Sequence, residues 1–580
     1  MKNFISALKV LPFENKICQL PIDDSKINKP RKIIGYCFSD VIPEQKENPR
    51  LIAHSKSAFS LINVELDVKN EENIQILAGN LIPTLARPLA HCYCGFQFGN
   101  WAGQLGDGRA IILGDFNGYE LQLKGSGLTP YSRFADGKAV VRSSIREYLC
   151  SEFMFHLNIP TTRAASLVIT DTKAERDIFY DGHPKLENCA VVLRIAETFL
   201  RFGSFEVEID LNPKNTILPK LWNYCKKYYF VDSENPFQEI VNRTAKLVAY
   251  WQCYGFCHGV LNTDNMSIIG LTIDYGPFGF MDYFNKNHIC NNSDKEGRYS
   301  YANQPQVCLW NLQRLGKALE DIIPNDQSNK IIQDSYWTQY NQWYYHIMLR
   351  KLGLIDQNQM EFTKSQCILV DSFFNILHQS CSNFTKVFQI LQQLNIPHLL
   401  DIDEEVELTQ NDYKIIEQLV QISAPRDVYM QMRKPILPKQ QIDQYISYAT
   451  SAKHILHILG IDENWLQQQI KLQKEYEQLQ VISEQERIKI ISLLWTDWVM
   501  QYKSETNQVN RLEIMEKMNP KYTITNTVLQ TVIEEVETNQ NYALLQKVQE
   551  VIENPFIKHQ GVDQLFDQVC NNEICVSCSS

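Results

Sequence analysis

The spacing of hydrophobic and polar residues changes along the chain and divides it into two halves. Between residues 90 and 205, apolar and polar positions alternate and glycine is frequent, which is typical of strands and tight turns. Beyond about residue 310 glycine becomes rare, and apolar residues recur at helical spacing to about residue 555. We therefore predict an α+β fold, with its strands in the first half and a mainly helical second half.

Several elements are predicted individually. Arg109–Gly114 and Glu120–Lys124 form a predicted hairpin around the turn 115–118. A helix is predicted at Ser143–Leu157, with Ser143 or the serine after it as N-cap. The remaining predictions are a strand at Val191–Ile195, helices at Asn70–Ala78 and 236–258, and loops near 323–330, 400–412 and 424–440.

These patterns suggest four regions. An N-terminal segment, 1–85, is expected to pack on a catalytic core, 86–320. A helical region, 321–560, follows the core, and a short tail, 561–580, ends the chain. The helical region contains no motif to which chemistry can be assigned.

Composition limits the class of partner. The chain has 580 residues, a net charge of -11 and a pI of about 5.7, which argues against a nucleic-acid partner because phosphate-binding surfaces are usually basic. A local basic pocket for one nucleotide remains compatible with this charge. No apolar run has the roughly 18–20 residues that a membrane span needs, and the N-terminus lacks the core of a signal peptide. We expect an intracellular protein; its oligomeric state stays open.

The chain contains 16 cysteines, most of which are expected to be reduced in a long intracellular protein. Cys575 and Cys578 form a CxxC pair close to the C-terminus. A zinc site would need further ligands nearby, and neither a second CxxC nor a paired histidine motif is present. The pair is either a redox site or two incidental cysteines on a frayed tail.

Two segments carry candidate phosphate-binding groups. Gly106, Gly108 and Arg109 precede a predicted strand, where backbone N–H groups and a guanidinium could bind phosphate oxygens; a simple turn is the alternative. Lys124 ends a predicted strand, and Glu147 lies in the helix that follows. Kinases hold the nucleotide phosphates with such a lysine–glutamate pair, although a solvated lysine would give the same pattern.

Two arginines lie in an otherwise apolar stretch, Arg194 in a predicted strand and Arg201 beyond it. We expect them on different elements. Arginines in such surroundings indicate anion recognition, with surface salt bridges as the alternative.

The segment from His258 to Asp274 is richest in chemistry. Asp264, Asn265 and Asp274 offer the carboxylate and amide oxygens that magnesium prefers. In protein kinases the catalytic aspartate lies two residues after the loop histidine, but here Val260 occupies that position. The protein is therefore either a dead kinase or an enzyme that uses another carboxylate, for which Asp264 is the candidate.

These motifs together resemble the selenoprotein O family and its bacterial relatives. The resemblance covers most of the chain and is strongest from about Tyr93 to Leu315. The resemblance rests on six motifs: GQLGDGR from Gly103, LKGSG from Leu123, HGVLNTDN from His258, DYGP from Asp274, GRYS from Gly297 and the ending CVSCSS.

The resemblance implies a protein-kinase-like bilobal core that transfers AMP, instead of phosphate, from ATP to Ser, Thr or Tyr hydroxyls of proteins. ATP would lie flipped relative to kinases, with its α-phosphate near the acceptor. Asp264 would accept the proton, Asn265 and Asp274 would bind Mg²⁺ or Mn²⁺, and Asp274 would also lie close to the nucleotide. The residues implied to hold ATP are Gly106, Gly108, Arg109, Lys124 (paired with Glu147), Asp136, Gly137, Arg194 and Arg201.

The resemblance also suggests redox control through a disulfide between Cys290 and Cys578, with Cys575 as a competing partner. It suggests a mitochondrial protein if the source is eukaryotic and a cytoplasmic one if it is bacterial. The rival functions are a kinase that transfers the γ-phosphate, a non-catalytic ATP-binding scaffold and a thiol oxidoreductase; the last lacks a thioredoxin-like βαβ pattern around its CxxC.

Overall fold

The computed structural model describes residues 2–4, 7–8, 16–177, 182–209, 217–396, 407–451, 463–506 and 510–568. Within these ranges, no helix combines the length and apolar character that crossing a membrane requires.

Strands are concentrated in the first half of the chain, as predicted. The largest sheet has the order β2-β3-β6-β9-β10-β13-β12-β4, with β11 also paired to β13. The sheet is mixed, because β2 and β3 run parallel whereas the other pairs are antiparallel. The strands are β1 Lys2–Asn3, β2 Ile22–Asp23, β3 Phe38–Asp40, β4 Arg50–His54, β5 Val64–Glu65, β6 Leu89–His91, β7 Cys94–Gln97, β8 Asn100–Gln104, β9 Ala110–Phe116, β10 Tyr119–Lys124, β11 Ala139–Val140, β12 Arg163–Arg176, β13 Lys185–Ala196, β14 Phe256–Cys257 and β15 Gly279–Phe280.

The described residues after β15 form helices and loops, which confirms the predicted α+β class. The helices are α1 Lys56–Leu61, α2 Glu71–Ala78, α3 Val141–His156, α4 Phe202–Phe205, α5 Leu218–Tyr228, α6 Pro236–Cys253, α7 Gln304–Ala318, α8 Asn325–Lys351, α9 Lys364–Ser380, α10 Lys386–Leu391, α11 Gln410–Gln421, α12 Arg426–Arg433, α13 Lys439–Ser451, α14 Glu463–Val481, α15 Glu484–Glu505, α16 Arg511–Met518, α17 Asn526–Asn539, α18 Ala543–Glu553 and α19 Asp563–Phe566.

The predicted hairpin is present, but its turn is shorter than expected. β9 continues through Phe116, which pairs with Tyr119. Only Asn117 and Gly118 form the turn, with φ angles of 50° and 86°. Two consecutive positive φ angles match the twist of a two-residue hairpin, and Asn-Gly is the sequence that tolerates them best.

Several helix boundaries differ from the predictions. α3 begins at Val141, so neither Ser143 nor Ser144 is its N-cap, and the Ser143 hydroxyl donates to the Val140 carbonyl at 3.1 Å. Helices begin inside the predicted loops: α8 in 323–330, α11 in 400–412, and α12 and α13 in 424–440. α8 and α12 start directly after a proline, whose fixed φ suits the entry to a helix.

Other predictions are confirmed. α2 has Asn70 as N-cap and ends at Gly79 in the left-handed conformation. β13 contains the predicted strand Val191–Ile195 within a longer one. The predicted helix 236–258 is confirmed only to Cys253, because Phe256–Cys257 form the strand β14.

The two faces of β10 have different roles. Leu121 and Leu123 lie in an apolar cluster with residues of α1, α2 and β13. Because successive side chains of a strand point to opposite faces, Gln122 and Lys124 point to the other face. Gln122 is paired with Arg194 of β13 in the same register, so that this face carries the charged groups.

α3 connects the sheet to the C-terminal helices. It packs against β12 and β13 and also contacts α17 and α18. One guanidinium nitrogen of Arg146, in α3, donates to the Asn526 side-chain oxygen at 3.0 Å. Residues far apart in sequence therefore fix the position of α3.

Candidate functional site

A cleft of about 850 Å³ lies between the charged face of the sheet and the segment that follows β14. It contains most of the residues proposed from the sequence. Those that line it are Gly106, Gly108, Arg109, Lys124, Asp136, Gly137, Arg194, Asp264, Asn265 and Asp274. Glu147 and Arg201 contact these residues from behind.

The predicted lysine–glutamate pair is present. Lys124 Nζ, on β10, lies 2.6 Å from a carboxylate oxygen of Glu147, on α3. The other oxygen of Glu147 lies 3.0 Å from Nη1 of Arg194, on β13. All three side chains are nearly buried, so the pairs compensate charges that burial alone would disfavour.

Asp274 is the anion at which three cations meet. Its carboxylate lies 2.6 Å from Arg194, 2.6 Å from Arg201 and 3.7 Å from Lys124. Burial alone would raise the pKa of this carboxyl, but the surrounding cations hold it well below its usual range. The backbone at Asp274 has a φ of 58°, a conformation that non-glycine residues adopt rarely and often at functional sites.

The position of Arg201 is fixed by a backbone hydrogen bond and by contact with an aromatic ring. It is the N-cap of α4, and its backbone N–H donates to the Ser204 hydroxyl at 3.0 Å. Its guanidinium lies 4.4 Å from the ring centroid of Tyr93 and donates to the Asp264 carbonyl at 2.8 Å. As predicted, Arg194 and Arg201 belong to different elements, yet they meet at one carboxylate.

The glycine-rich turn before β9 packs closely on a second loop. Gly106 has a φ of 124°, and a Cβ at this position would come within 2.4 Å of the Tyr131 ring. Asp107 accepts from the Gln122 amide at 2.9 Å, and burial raises the pKa of its carboxyl to about 6. The Arg109 guanidinium forms no ion pair or hydrogen bond with the described residues, which leaves it available to a ligand.

Asp264 has the features of a proton acceptor. One carboxylate oxygen accepts from the Gln97 amide at 3.3 Å, whereas the other is buried and has no hydrogen-bond partner among the described residues. Burial raises the pKa of this carboxyl to about 6, although Arg201 opposes the shift. The group is therefore mostly ionised at neutral pH and can still take up a proton.

Val260 lines the cleft at the position where a kinase would have its catalytic aspartate. The neighbouring His258 is buried, and its Nε2 lies 3.0 Å from the Ile273 carbonyl, so Nε2 carries the proton. Burial lowers the pKa of this imidazole, which argues for a structural role for His258.

Asn265 and Asp274 supply amide and carboxylate oxygens of the kind that a magnesium-like ion prefers, and both carboxylate oxygens of Asp274 also accept from Arg194 and Arg201. The Asn265 amide nitrogen donates to the Val260 carbonyl at 2.9 Å, which leaves its amide oxygen unused by the described residues. Within the described part of the chain, no three His, Cys, Asp or Glu side chains converge as a closed metal centre. Few protein ligands, supplemented by water and phosphate oxygens, are typical of Mg²⁺ sites.

The structure adds residues that the sequence analysis did not assign. Arg176 of β12 lines the cleft and pairs with Asp136 at 2.8 and 2.9 Å. Gln122 contacts both Arg194 and Asp107. Gln122 and Lys124 alternate along one strand, so their side chains share a face, and the sequence could have identified Gln122 as a site residue from this pattern. No feature of the sequence indicates that Arg176 pairs with Asp136.

The redox candidates are only partly described. Cys290 is buried, and its thiol donates to the Cys257 carbonyl at 3.3 Å. The Cys257 thiol lies nearby and donates to the Tyr299 carbonyl at 3.5 Å, and burial raises the pKa of Cys290 well above its usual range. Cys575 and Cys578 lie outside the described residues, so that the pairing with Cys290 stays a prediction.

Known proteins resemble this chain over most of its length. The profile of a family described as "Protein adenylyltransferase SelO" matches residues 30–553. The "Protein adenylyltransferase SelO-1, mitochondrial" of Danio rerio is 37% identical over 612 residues, covering 96% of this chain and 87% of the relative. The "Protein adenylyltransferase SelO, mitochondrial" of Homo sapiens is 36% identical, with 95% and 86% covered. The "Protein nucleotidyltransferase YdiU" of Cytophaga hutchinsonii is 42% identical over 385 residues, with 64% and 73% covered.

Proposed function

Since the chain belongs to the family of SelO protein adenylyltransferases, we propose that it transfers AMP from ATP to Ser, Thr or Tyr hydroxyls of proteins. One observation supports this most: the carboxylate oxygen of Asp264 that has no hydrogen-bond partner among the described residues shares a cleft with the cations gathered around Asp274. A proton acceptor and a cationic site are the two groups that nucleotidyl transfer to a hydroxyl needs.

The cations would bind the triphosphate. Lys124, Arg194 and Arg201 are held by their ion pairs, and Arg109 adds a guanidinium at the cleft wall. Fixed cations stabilise charge on a transferred phosphoryl group without reorganising during the reaction. Glu147 would keep Lys124 and Arg194 in place, acting as a positioning residue.

In the transfer step, the acceptor hydroxyl would attack the α-phosphorus and form the new O–P bond. The bond between the α-phosphorus and the α–β bridging oxygen would break, and pyrophosphate would leave. Asp264 would take the hydroxyl proton, in place of the missing kinase aspartate at Val260. This assignment requires the α-phosphate to face Asp264, which corresponds to the flipped orientation of ATP.

Asn265 and Asp274 would hold Mg²⁺ or Mn²⁺. When bound, the ion would add positive charge beside the phosphates. Asp274 would also keep the two arginines oriented, because it contacts both at 2.6 Å.

The same residues support a kinase-like arrangement of the core, in which a sheet with a strand lysine and a helix glutamate covers the nucleotide.

The proposed regions of the chain stay 1–85, 86–320, 321–560 and 561–580. The location proposed for the protein is the mitochondrion for a eukaryotic source and the cytoplasm for a bacterial one.

The test is incubation with ATP labelled with ³²P at the α- or the γ-position, in the presence of Mg²⁺ or Mn²⁺. The variants are wild type, Asp274→Ala and, as a matched control, Asp171→Ala, which removes an exposed aspartate paired with Arg50. Adenylyl transfer predicts protein-bound label from the α-position only, lost in Asp274→Ala and kept in the control.

Label from the γ-position only would identify a kinase with an unusual base. Absence of label from either position, with ATP still bound, would identify an ATP-binding scaffold. Either result would overturn the proposed function.

A further inference from the structure

Two arginines lie over a cluster of aromatic rings next to the cleft. The guanidinium of Arg298 is 4.7 Å from the ring centroid of Trp310, and that of Arg314 is 5.1 Å from the same ring. Phe96 packs edge-on against Trp310 with centroids 5.5 Å apart. We call the following six residues the arginine–aromatic patch: Phe96, Phe98, Trp101, Arg298, Trp310 and Arg314.

The patch begins where the Asp264 side of the cleft ends. The β7–β8 hairpin joins the two, because the Phe96 N–H donates to the Thr263 hydroxyl at 2.8 Å and Gln97 donates to Asp264 at 3.3 Å. Phe98 lines the cleft and packs at a tilt against Tyr299, with ring centroids 5.2 Å apart. A chain that presents a hydroxyl to Asp264 would therefore continue across the patch.

The arginines of the patch form no direct ion pair. Neither Arg298 nor Arg314 reaches a carboxylate at ion-pair distance among the described residues, although Asp294 near Arg298 and Glu206 near Arg314 partly offset their charge. The Nε of each arginine is buried without a hydrogen-bond partner among these residues. Both side chains are half-buried, so each guanidinium is only partly covered. This contrasts with Lys124, Arg194 and Arg201 in the cleft, which share carboxylates, and with the net charge of -11 for the whole chain.

Such arginines are suited to carboxylates. A guanidinium stacked on an indole keeps its planar N–H groups available and is less free to move, so that less entropy is lost when it binds a carboxylate in a bidentate manner. A purely structural role, in which the arginines only join the β7–β8 hairpin to α7, would leave substrate preference unaffected. The two roles therefore predict different results.

We propose that the arginine–aromatic patch binds an acidic segment of the protein substrate that flanks the acceptor hydroxyl. The proposal rests on the proposed transfer to protein hydroxyls and adds the substrate class: hydroxyl residues next to aspartates and glutamates. The aromatic rings would contact the aliphatic parts of this segment, and the arginines its carboxylates.

The experiment uses three fluorescent peptides of equal length. Each carries one Ser, one Thr and one Tyr, flanked by four Glu, four Gln or four Lys residues. Binding to the full-length protein is measured by fluorescence anisotropy at low and high salt, and transfer by α-³²P-ATP. The variants are Arg298→Gln/Arg314→Gln and a control, Arg50→Gln/Arg243→Gln, which removes one arginine of an exposed ion pair and one of a half-buried ion pair.

We expect wild type and control to bind the Glu peptide about 10-fold more tightly than the Gln peptide, with a preference that falls at high salt. The patch variant should lose this preference while its thermal shift with ATP stays unchanged. The charge-reversed variant Arg314→Glu should instead favour the Lys peptide. Equal binding of the Glu and Gln peptides by wild type, or a preference that survives in the patch variant, would overturn the proposal.

Two controls separate other causes. If the patch variant unfolds, Arg298→Lys/Arg314→Lys retains the positive charge and should keep a weaker Glu preference, because an ammonium cannot bind a carboxylate in a bidentate manner. A preference for the Gln or Lys peptide in that folded variant would contradict charge recognition. Binding and transfer are read separately, so that a wild type that binds the Glu peptide but labels no protein refutes the proposed function and leaves the patch supported.

Discussion

Arg201 binds the Asp274 carboxylate at 2.6 Å, and the same nitrogen donates to the Asp264 main-chain carbonyl at 2.8 Å. One guanidinium thus sets the relative position of the proposed phosphate-side aspartate and the proposed proton acceptor. Arginine can contact both aspartates at once because its N–H donors are fixed in one plane.

Arg201→Lys should disrupt this relationship while it keeps the charge. An ammonium cannot reproduce the fixed donor geometry, and a misplacement of about 1 Å in a catalytic arrangement can cost about 100-fold in rate. We expect label transfer from α-³²P-ATP to fall by about that factor. Arg243→Lys, in a half-buried i,i+4 pair with Glu239 on the helix α6, should remain close to wild type, and an Arg201→Lys variant with full activity would contradict the assignment.

A double-mutant cycle on Lys124→Met and Glu147→Gln should show strong coupling in ATP affinity. Each single change removes the shortest ion pair of a nearly buried partner, and leaves Glu147 only its contact with Arg194 and Lys124 only its longer contact with Asp274. This is costlier than removing both charges together. We expect a coupling energy of about 1–3 kcal/mol, measured by isothermal titration with ATP. The exposed pair Arg50 and Asp171 provides the control cycle, for which less than about 1 kcal/mol is expected; additive effects at Lys124 and Glu147 would contradict the pairing.

Lys351 should make stability depend on pH. It is buried between the rings of Tyr254 and Phe388, at 4.3 and 4.2 Å, and burial lowers its pKa from 10.5 to about 7. Between about pH 7 and 10.5 this lysine is protonated in the unfolded chain but mostly neutral in the folded protein. Its contribution to stability therefore rises with pH from about 7 upwards and is least favourable below about pH 7.

Lys351→Met should therefore stabilise the protein more at pH 6.5 than at pH 9, by about 1 kcal/mol or more in the free energy of unfolding. Urea unfolding at both pH values measures this, with Lys517→Met, an exposed lysine, as control. If Lys351→Met destabilises the protein equally at both pH values, the lysine is charged in the folded protein at both, and the prediction is wrong.

Oxidation should form the disulfide between Cys290 and Cys578. Treatment with oxidised glutathione would remove two electrons and two protons from the thiols and release two reduced glutathione molecules. Non-reducing peptide mapping identifies the partners, and Cys578→Ser should abolish any change in label transfer on oxidation. Both cysteines free under oxidising conditions would contradict this pairing. A Cys257–Cys290 disulfide would instead point to the neighbouring buried thiol, and a Cys290–Cys575 disulfide to the competing tail cysteine.

The sequence predicted the local features that depend on neighbouring residues. The Asn-Gly hairpin and the Asn70 cap follow from turn and capping chemistry. The Lys124–Glu147 contact could be predicted by analogy with protein kinases, in which a strand lysine pairs with a glutamate of the next helix.

What the sequence did not predict depends on distant segments. Asp136 and Arg176 meet because β12 returns beside the loop that carries Asp136, and no motif marks that contact. The start of α3 at Val141 was missed because the tertiary packing of this helix outweighs the preference for a serine cap. Arg298 and Arg314 belong to different segments, so that only the fold shows them on one aromatic ring.

The contact between Arg146 and Asn526 has a consequence during protein synthesis. The helix that carries Glu147 is made early, but its partners α17 and α18 emerge from the ribosome about 400 residues later, which at about 5–20 residues per second takes about 20–80 s. During that interval the nascent chain holds an incompletely supported nucleotide cleft. Premature termination before α17 would release a product without this support, so the cell gains a competent enzyme only after α17 and α18 have been made.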